Sequence, residues 1–152
     1  MEQQANTINI LLKISINAGM DHVWDCLIND VSLWWRKDFY TNSKTKRMTI
    51  EPKVGGRMYE DYGNDEGLLW ATVIVLESPH LIEFKGHLTP RFGGPAMSFL
   101  RLSLKESGNS TVMTLEDTVF GAVSGKTRDD LMSGWKLLYE DAFKKYAEGK
   151  QK

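Results

Sequence analysis

Two carboxylates carry most of the chemistry this sequence offers. Asp117 follows Met113 and Leu115 at period two in the run Ser110 to Phe120, which puts it on the same face as those apolar neighbours. A carboxylate on a buried face needs a partner or acquires a raised pKa. Such a group can anchor a ligand's hydroxyl or amine, or act as a general acid/base. The structural alternative is a strand-end residue bonded to nearby backbone or to Arg128. Glu60 shares strand parity with Met58 and carries the same ambiguity.

The remaining motifs fall short of a site. Gly121 to Thr127 reads G-A-V-S-G-K-T, close to a phosphate-binding loop, which needs four residues between its glycines where this segment has three. The shortened loop cannot wrap its amides around a phosphate. It reads instead as a loop entering a helix, with Thr127 as cap. His22, His80 and His87 are scattered without paired spacing, which argues against a metal site. His22 is expected exposed on a short helix, His80 in a turn and His87 on an outer strand face. No G-x-S-x-G elbow occurs. Cys26 lies near the apolar side of a short helix and reads as a buried, inert thiol. No cofactor and no metal are expected.

The element that must position these groups is the last long stretch, Thr127 to Ala147. Leu131, Met132, Trp135, Leu138, Tyr139, Ala142, Phe143 and Tyr146 recur at three- and four-residue spacing. At roughly 100° per residue they form one apolar stripe. Leu137 is the clear violation. Thr127 with Asp130 reads as a capping box, and Gly149 can end the helix. Upstream, Ile8, Ile10, Leu12, Ile14 and Ile16 alternate with Asn9, Lys13 and Ser15 as a strand with one buried face. Two short helices follow, the second carrying Trp34 and Trp35. About six consecutive strands then run from Arg47 to Phe120, joined by short turns. Consecutive strands of this kind favour an antiparallel meander. A sheet that long must curl, and the terminal helix is the large element left to fill its concave side.

Composition bounds the function. At 152 residues the chain is expected to form a single domain over 1–152. The formal net charge of −1 gives no reason to expect nucleic acid or an anionic membrane as partner. No signal peptide is evident, and no apolar run approaches the roughly 20 residues that span a bilayer. One cysteine allows no intramolecular disulfide, so a cytoplasmic setting is expected. Five Trp, six Phe and seven Met are generous for this length and suit either a large core or a pocket for apolar ligands.

The chain resembles the START-like, Bet v 1-like superfamily (SRPBCC), in the branch related to the activator of Hsp90 ATPase homologue 1. The resemblance lies in Ala18 with Val23-Trp24, Leu27, Asp30 and a Trp at 34 or 35; in Val54-Gly55-Gly56-Arg57 opening a strand; in Val73 to Pro79 before His80-Leu81-Ile82-Glu83-Phe84; and in Gly134-Trp135 with Leu138. It implies an α+β helix-grip fold. In that fold a curved seven-stranded antiparallel sheet wraps a long C-terminal helix, with two short helices between strands 1 and 2. It also implies a cavity between helix and sheet. Relatives bind lipids, polyketides or hormones there, some cyclise polyketides, and some are co-chaperones; the fold alone does not choose. Asp117 departs from the His or Glu that many relatives look to carry at this inward position.

The leading expectation is therefore a binder of a small, mostly apolar molecule, held between helix and sheet by Trp34, Met58, Glu60, Phe84, Leu100, Asp117, Leu131, Trp135 and Leu138. Two other readings stand beside it. One is a cyclase- or hydrolase-type enzyme using Asp117 or Glu60. The other is an interaction module making an Hsp90-type chaperone contact, although such relatives use an additional N-terminal domain for which 152 residues leave no room. A monomer or a homodimer is expected.

Overall fold

Alternation of apolar and polar side chains builds a seven-stranded sheet. The computed structural model describes residues 4–150. The strands are β1 (Asn6–Ile16), β2 (Arg47–Ile50), β3 (Arg57–Gly63), β4 (Glu66–Glu77), β5 (Leu81–Leu88), β6 (Ala96–Ser107) and β7 (Ser110–Gly121). Their spatial order is β1-β7-β6-β5-β4-β3-β2, antiparallel throughout. The chain thus makes one excursion, from β1 across to β2, and then returns as a meander until β7 pairs with β1. Two short helices, α1 (Met20–Asn29) and α2 (Val31–Trp34), make that excursion.

The C-terminal helix lies on the concave face. It comprises α3 (Gly125–Trp135), a π-helical segment Lys136–Phe143 and α4 (Lys144–Lys150). Its cap differs from the sequence expectation. Ser124 is the N-cap, its hydroxyl accepting from the Thr127 amide, while the Thr127 hydroxyl accepts from the Ser124 amide. Thr127 therefore occupies the third helical position, and Asp130 instead pairs with Lys126 at 2.8 Å. The seven residues that resemble a phosphate loop are the end of β7 and this cap.

The wider π turn changes the helix phase. Leu138 and Tyr139 are both buried, Phe143 and Ala147 follow them inward, and Leu137 is left exposed. Phe143 and Tyr139 pack on Trp34, with ring centroids 4.9 and 5.3 Å away. The small helices also grip the helix through polar contacts. The Tyr146 hydroxyl donates to Asp30 at 2.9 Å, and burial with that bond pushes the phenol up to about 12. His22 is half-buried rather than exposed, because its Nε2 lies 2.9 Å from the Ala147 carbonyl. Cys26 is buried, as expected. Among the described residues no helix is long and apolar enough to cross a membrane.

Candidate functional site

Helix and sheet meet imperfectly, leaving a cavity of about 390 Å³ between them. Strand register explains where it forms. One cross-strand row on the concave face carries small side chains: Ala71 on β4, Gly86 on β5, Ser98 on β6 and Val119 on β7. The next row carries Val73, Phe84, Leu100 and Asp117. Phe84 and Leu100 fill the row behind, whereas Ala71, Gly86 and Ser98 leave room above themselves. At Gly86 even a methyl group would sit 2.7 Å from the Ser98 hydroxyl and 3.1 Å from the Trp70 carbonyl. The backbone there needs glycine for close approach.

The helix contributes Leu131, Gly134, Trp135 and Leu138 to the opposite wall. The lid comes from Trp35 and Phe39 next to α2, with Phe92 from the β5–β6 loop at the rim. His87 and Asp130, both exposed, also border the opening. Of the residues expected at the site, Met58, Phe84, Leu100, Asp117, Leu131, Trp135 and Leu138 converge on this space.

Trp34 and Glu60 do not line it. Trp34 faces the core beside the cavity, its indole N–H donating to the Cys26 carbonyl at 2.9 Å. The next residue, Trp35, occupies the lid. Glu60 is fully buried behind the wall, where it ties the β2 approach to the sheet. Its Oε2 accepts from the Thr41 amide, the Thr41 hydroxyl and the Thr45 hydroxyl, and its Oε1 accepts from Trp70 Nε1 at 3.3 Å. Four donors on one carboxylate satisfy it without a cation.

Asp117 is inward, as its parity requires, and only 3% exposed. Its Oδ2 accepts from Trp135 Nε1 at 2.9 Å, rather than from Arg128 or backbone. Its Oδ1 has no hydrogen-bond partner among the described residues. Its cross-strand neighbours, Ile10 and Leu100, are apolar. Burial therefore pushes the carboxyl up to about 6, against the smaller opposing effect of the Trp135 bond. Burial also raises the pKa of Tyr139, with the Asp117 charge adding to the effect. An unsatisfied buried group of this kind costs about 1–3 kcal/mol. Inside the chamber, which is aromatic and mostly apolar, Asp117 is the buried carboxyl, while Asp130 stays exposed at the opening. Among the described residues no cluster of His, Cys, Asp or Glu could hold a metal ion.

Sequence reasoning missed Trp70 and the small-residue row; the Trp34-Trp35 pair was readable as a gate at the cavity mouth and the Thr89 to Pro95 loop, which holds Phe92, as its rim. Trp70 reaches the cavity through a β-bulge: Met58 pairs with Ala71 while Tyr59 pairs with Leu69, so Trp70 is the extra residue. A glycine inside the β5 pattern was the one available signal of close backbone approach.

Comparison with known proteins agrees with this architecture. No curated protein matches the sequence. A protein from Rhizobium leguminosarum superposes with a TM-score of 0.71 at 13% identity, covering 99% of this chain and 100% of that one. Ara h 8.0201 gives 0.70 at 8% identity, covering 95% and 99%. DynU16, from the dynemicin biosynthetic locus, gives 0.67 at 17%, covering 92% of this chain and 47% of its own. At such identities the likeness is one of fold. The family model for activator of Hsp90 ATPase homolog 1-like proteins matches residues 17–148, nearly the whole folded chain, and the protein belongs to that family.

Proposed function

We propose that this protein binds a small, mostly apolar molecule in the cavity between its C-terminal helix and its sheet. The observation that carries the reading is the cavity itself. Its volume of about 390 Å³ falls within the range of pockets for drug-sized molecules, roughly 300–1,000 Å³. Its wall is made largely of Trp, Phe, Leu, Met and Val side chains, with few polar groups. The fold likeness to DynU16 supports the same reading, since that protein comes from the dynemicin biosynthetic locus. A cytoplasmic location belongs to the reading as well.

The test is a panel of fatty acids, sterols and aromatic polyketides, followed by tryptophan fluorescence and melting temperature. Trp35, Trp70 and Trp135 all border the cavity, so a guest there perturbs emission. A ligand at 100 times its dissociation constant stabilises by about 2.7 kcal/mol. No response to any class contradicts the proposal.

A second reading, acid/base catalysis on the bound molecule, is favoured by Asp117 alone, whose carboxyl titrates at about 6 beside the cavity. Glu60 is tied by four donors outside the wall and is set aside for that role. Asp117→Asn separates the readings: a binder changes in affinity alone, whereas a catalyst loses turnover of the compound it still binds.

A further inference from the structure

Two buried side-chain atoms are left without a hydrogen-bond partner among the described residues, and both belong to cavity-lining residues. They are Oδ1 of Asp117 and Nε1 of Trp35. Two other buried polar side chains nearby are satisfied: Glu60 accepts four bonds, and Trp34 Nε1 donates to the Cys26 carbonyl. Buried polar atoms are normally paired, so two exceptions at one cavity call for a common cause. The two atoms are chemically opposite. A carboxylate oxygen accepts, and an indole N–H only donates. They also come from different walls, Asp117 from β7 in the sheet and Trp35 from the lid. Around them the wall is aromatic, with Trp135, Phe84 and Trp70.

We infer that the guest is a flat aromatic body with a hydroxyl or amine donor at the end meeting Asp117 and a carbonyl-type acceptor at the end meeting Trp35. This rests on the binding reading above and narrows it. The donor completes the one open carboxylate oxygen, and the carbonyl receives the one open indole N–H. A fatty acid fits poorly, because its ionised head offers no donor and carries the same charge as Asp117.

The test is titration calorimetry with four compounds built on one naphthalene ring: 6-hydroxy-2-acetylnaphthalene, 6-methoxy-2-acetylnaphthalene, 2-naphthol and naphthalene. The hydroxyketone is expected to bind most tightly. Masking the hydroxyl or deleting the acetyl should each weaken binding about tenfold, the scale of one good hydrogen bond. Trp35→Phe keeps a ring in the lid and removes its N–H. In that variant the acetyl group should lose its contribution while the hydroxyl keeps its own. The wild-type series decides the matter even where the variant folds poorly. Equal affinity across the four compounds overturns this inference and leaves the binding reading standing. Binding of a fatty acid with none of the four overturns it likewise. No binding by any compound in either panel overturns both.

Discussion

Trp135 Nε1 donates to Asp117 Oδ2 across 2.9 Å, and this bond joins the C-terminal helix to the last strand at the floor of the cavity. It is a half-satisfied arrangement: one oxygen is held and the other is not. The carboxyl is consequently placed but, among the described residues, paired with no cation, in surroundings that disfavour its charge. That combination makes Asp117 the group whose titration is most informative.

Stability should depend on pH through Asp117. Its folded pKa, about 6, lies above the ordinary 3.8. The folded state therefore holds the proton more tightly than the unfolded chain. The stabilising effect of that proton is fully present below about pH 4 and is lost as pH rises through 6. Each pKa unit corresponds to about 1.36 kcal/mol, so a rise from 3.8 to about 6 makes the loss on the order of 3 kcal/mol. Urea denaturation at pH 4, 6 and 8 should show wild type losing about that much relative to Asp117→Asn as pH increases. A constant difference between the two proteins contradicts the assignment.

Filling the cavity should abolish binding without unfolding the protein. Ala71 is buried in the small-residue row and borders the open space. Ala71→Leu extends a side chain into it. Overpacking a tight core costs about 1–3 kcal/mol; in this row the cost should be smaller, because the volume is already open. The expected result is a melting temperature near that of wild type and no ligand-induced shift. Retained ligand response in a folded Ala71→Leu protein counts against the cavity as the site.

Glu60 should matter for stability rather than chemistry. Glu60→Gln replaces one acceptor oxygen by a donor and leaves at least one of its present donors unpaired. A loss of about 1–3 kcal/mol is expected in chemical denaturation. Because Trp70 is one of those donors, its emission should also shift in the folded state. Unchanged stability would mean that Glu60 does not hold the β2 approach to the sheet.

Phe143 anchors the helix to the small-helix corner. It is fully buried, with its ring 4.9 Å from that of Trp34. Phe143→Ala should cost about 3–5 kcal/mol, measured by denaturant midpoint. A cost below about 1 kcal/mol means the helix does not depend on that contact.

Much of the architecture was legible in residue order, because two periodicities carry it. Period two in Ile8 to Ile16 and in Ser110 to Phe120 marked strands β1 and β7 and turned Asp117 inward. Helical spacing from Leu131 to Tyr146 marked the gripped helix. What escaped was whatever depends on register or on a local break in period. The row Ala71, Gly86, Ser98 and Val119 exists only once four strands are aligned. The bulge at Trp70 adds a residue that no strand period announces, whereas Leu138, Tyr139 and Phe143 stay on the expected stripe through the π turn over Lys136–Phe143. Trp34 and Trp35 are adjacent at the end of a helix of four residues, too short for periodicity to tell core from lid. Ser124 rather than Thr127 caps the helix because the cap is fixed by where the strand ends, at Gly121.

The most direct test is a crystal structure of the protein with its tightest-binding compound. The predicted result is density for the guest between Trp135 and the row from Ala71 to Val119, within hydrogen-bond reach of Asp117. A guest on the outer face of the sheet, or a space between helix and sheet closed by side chains, contradicts it.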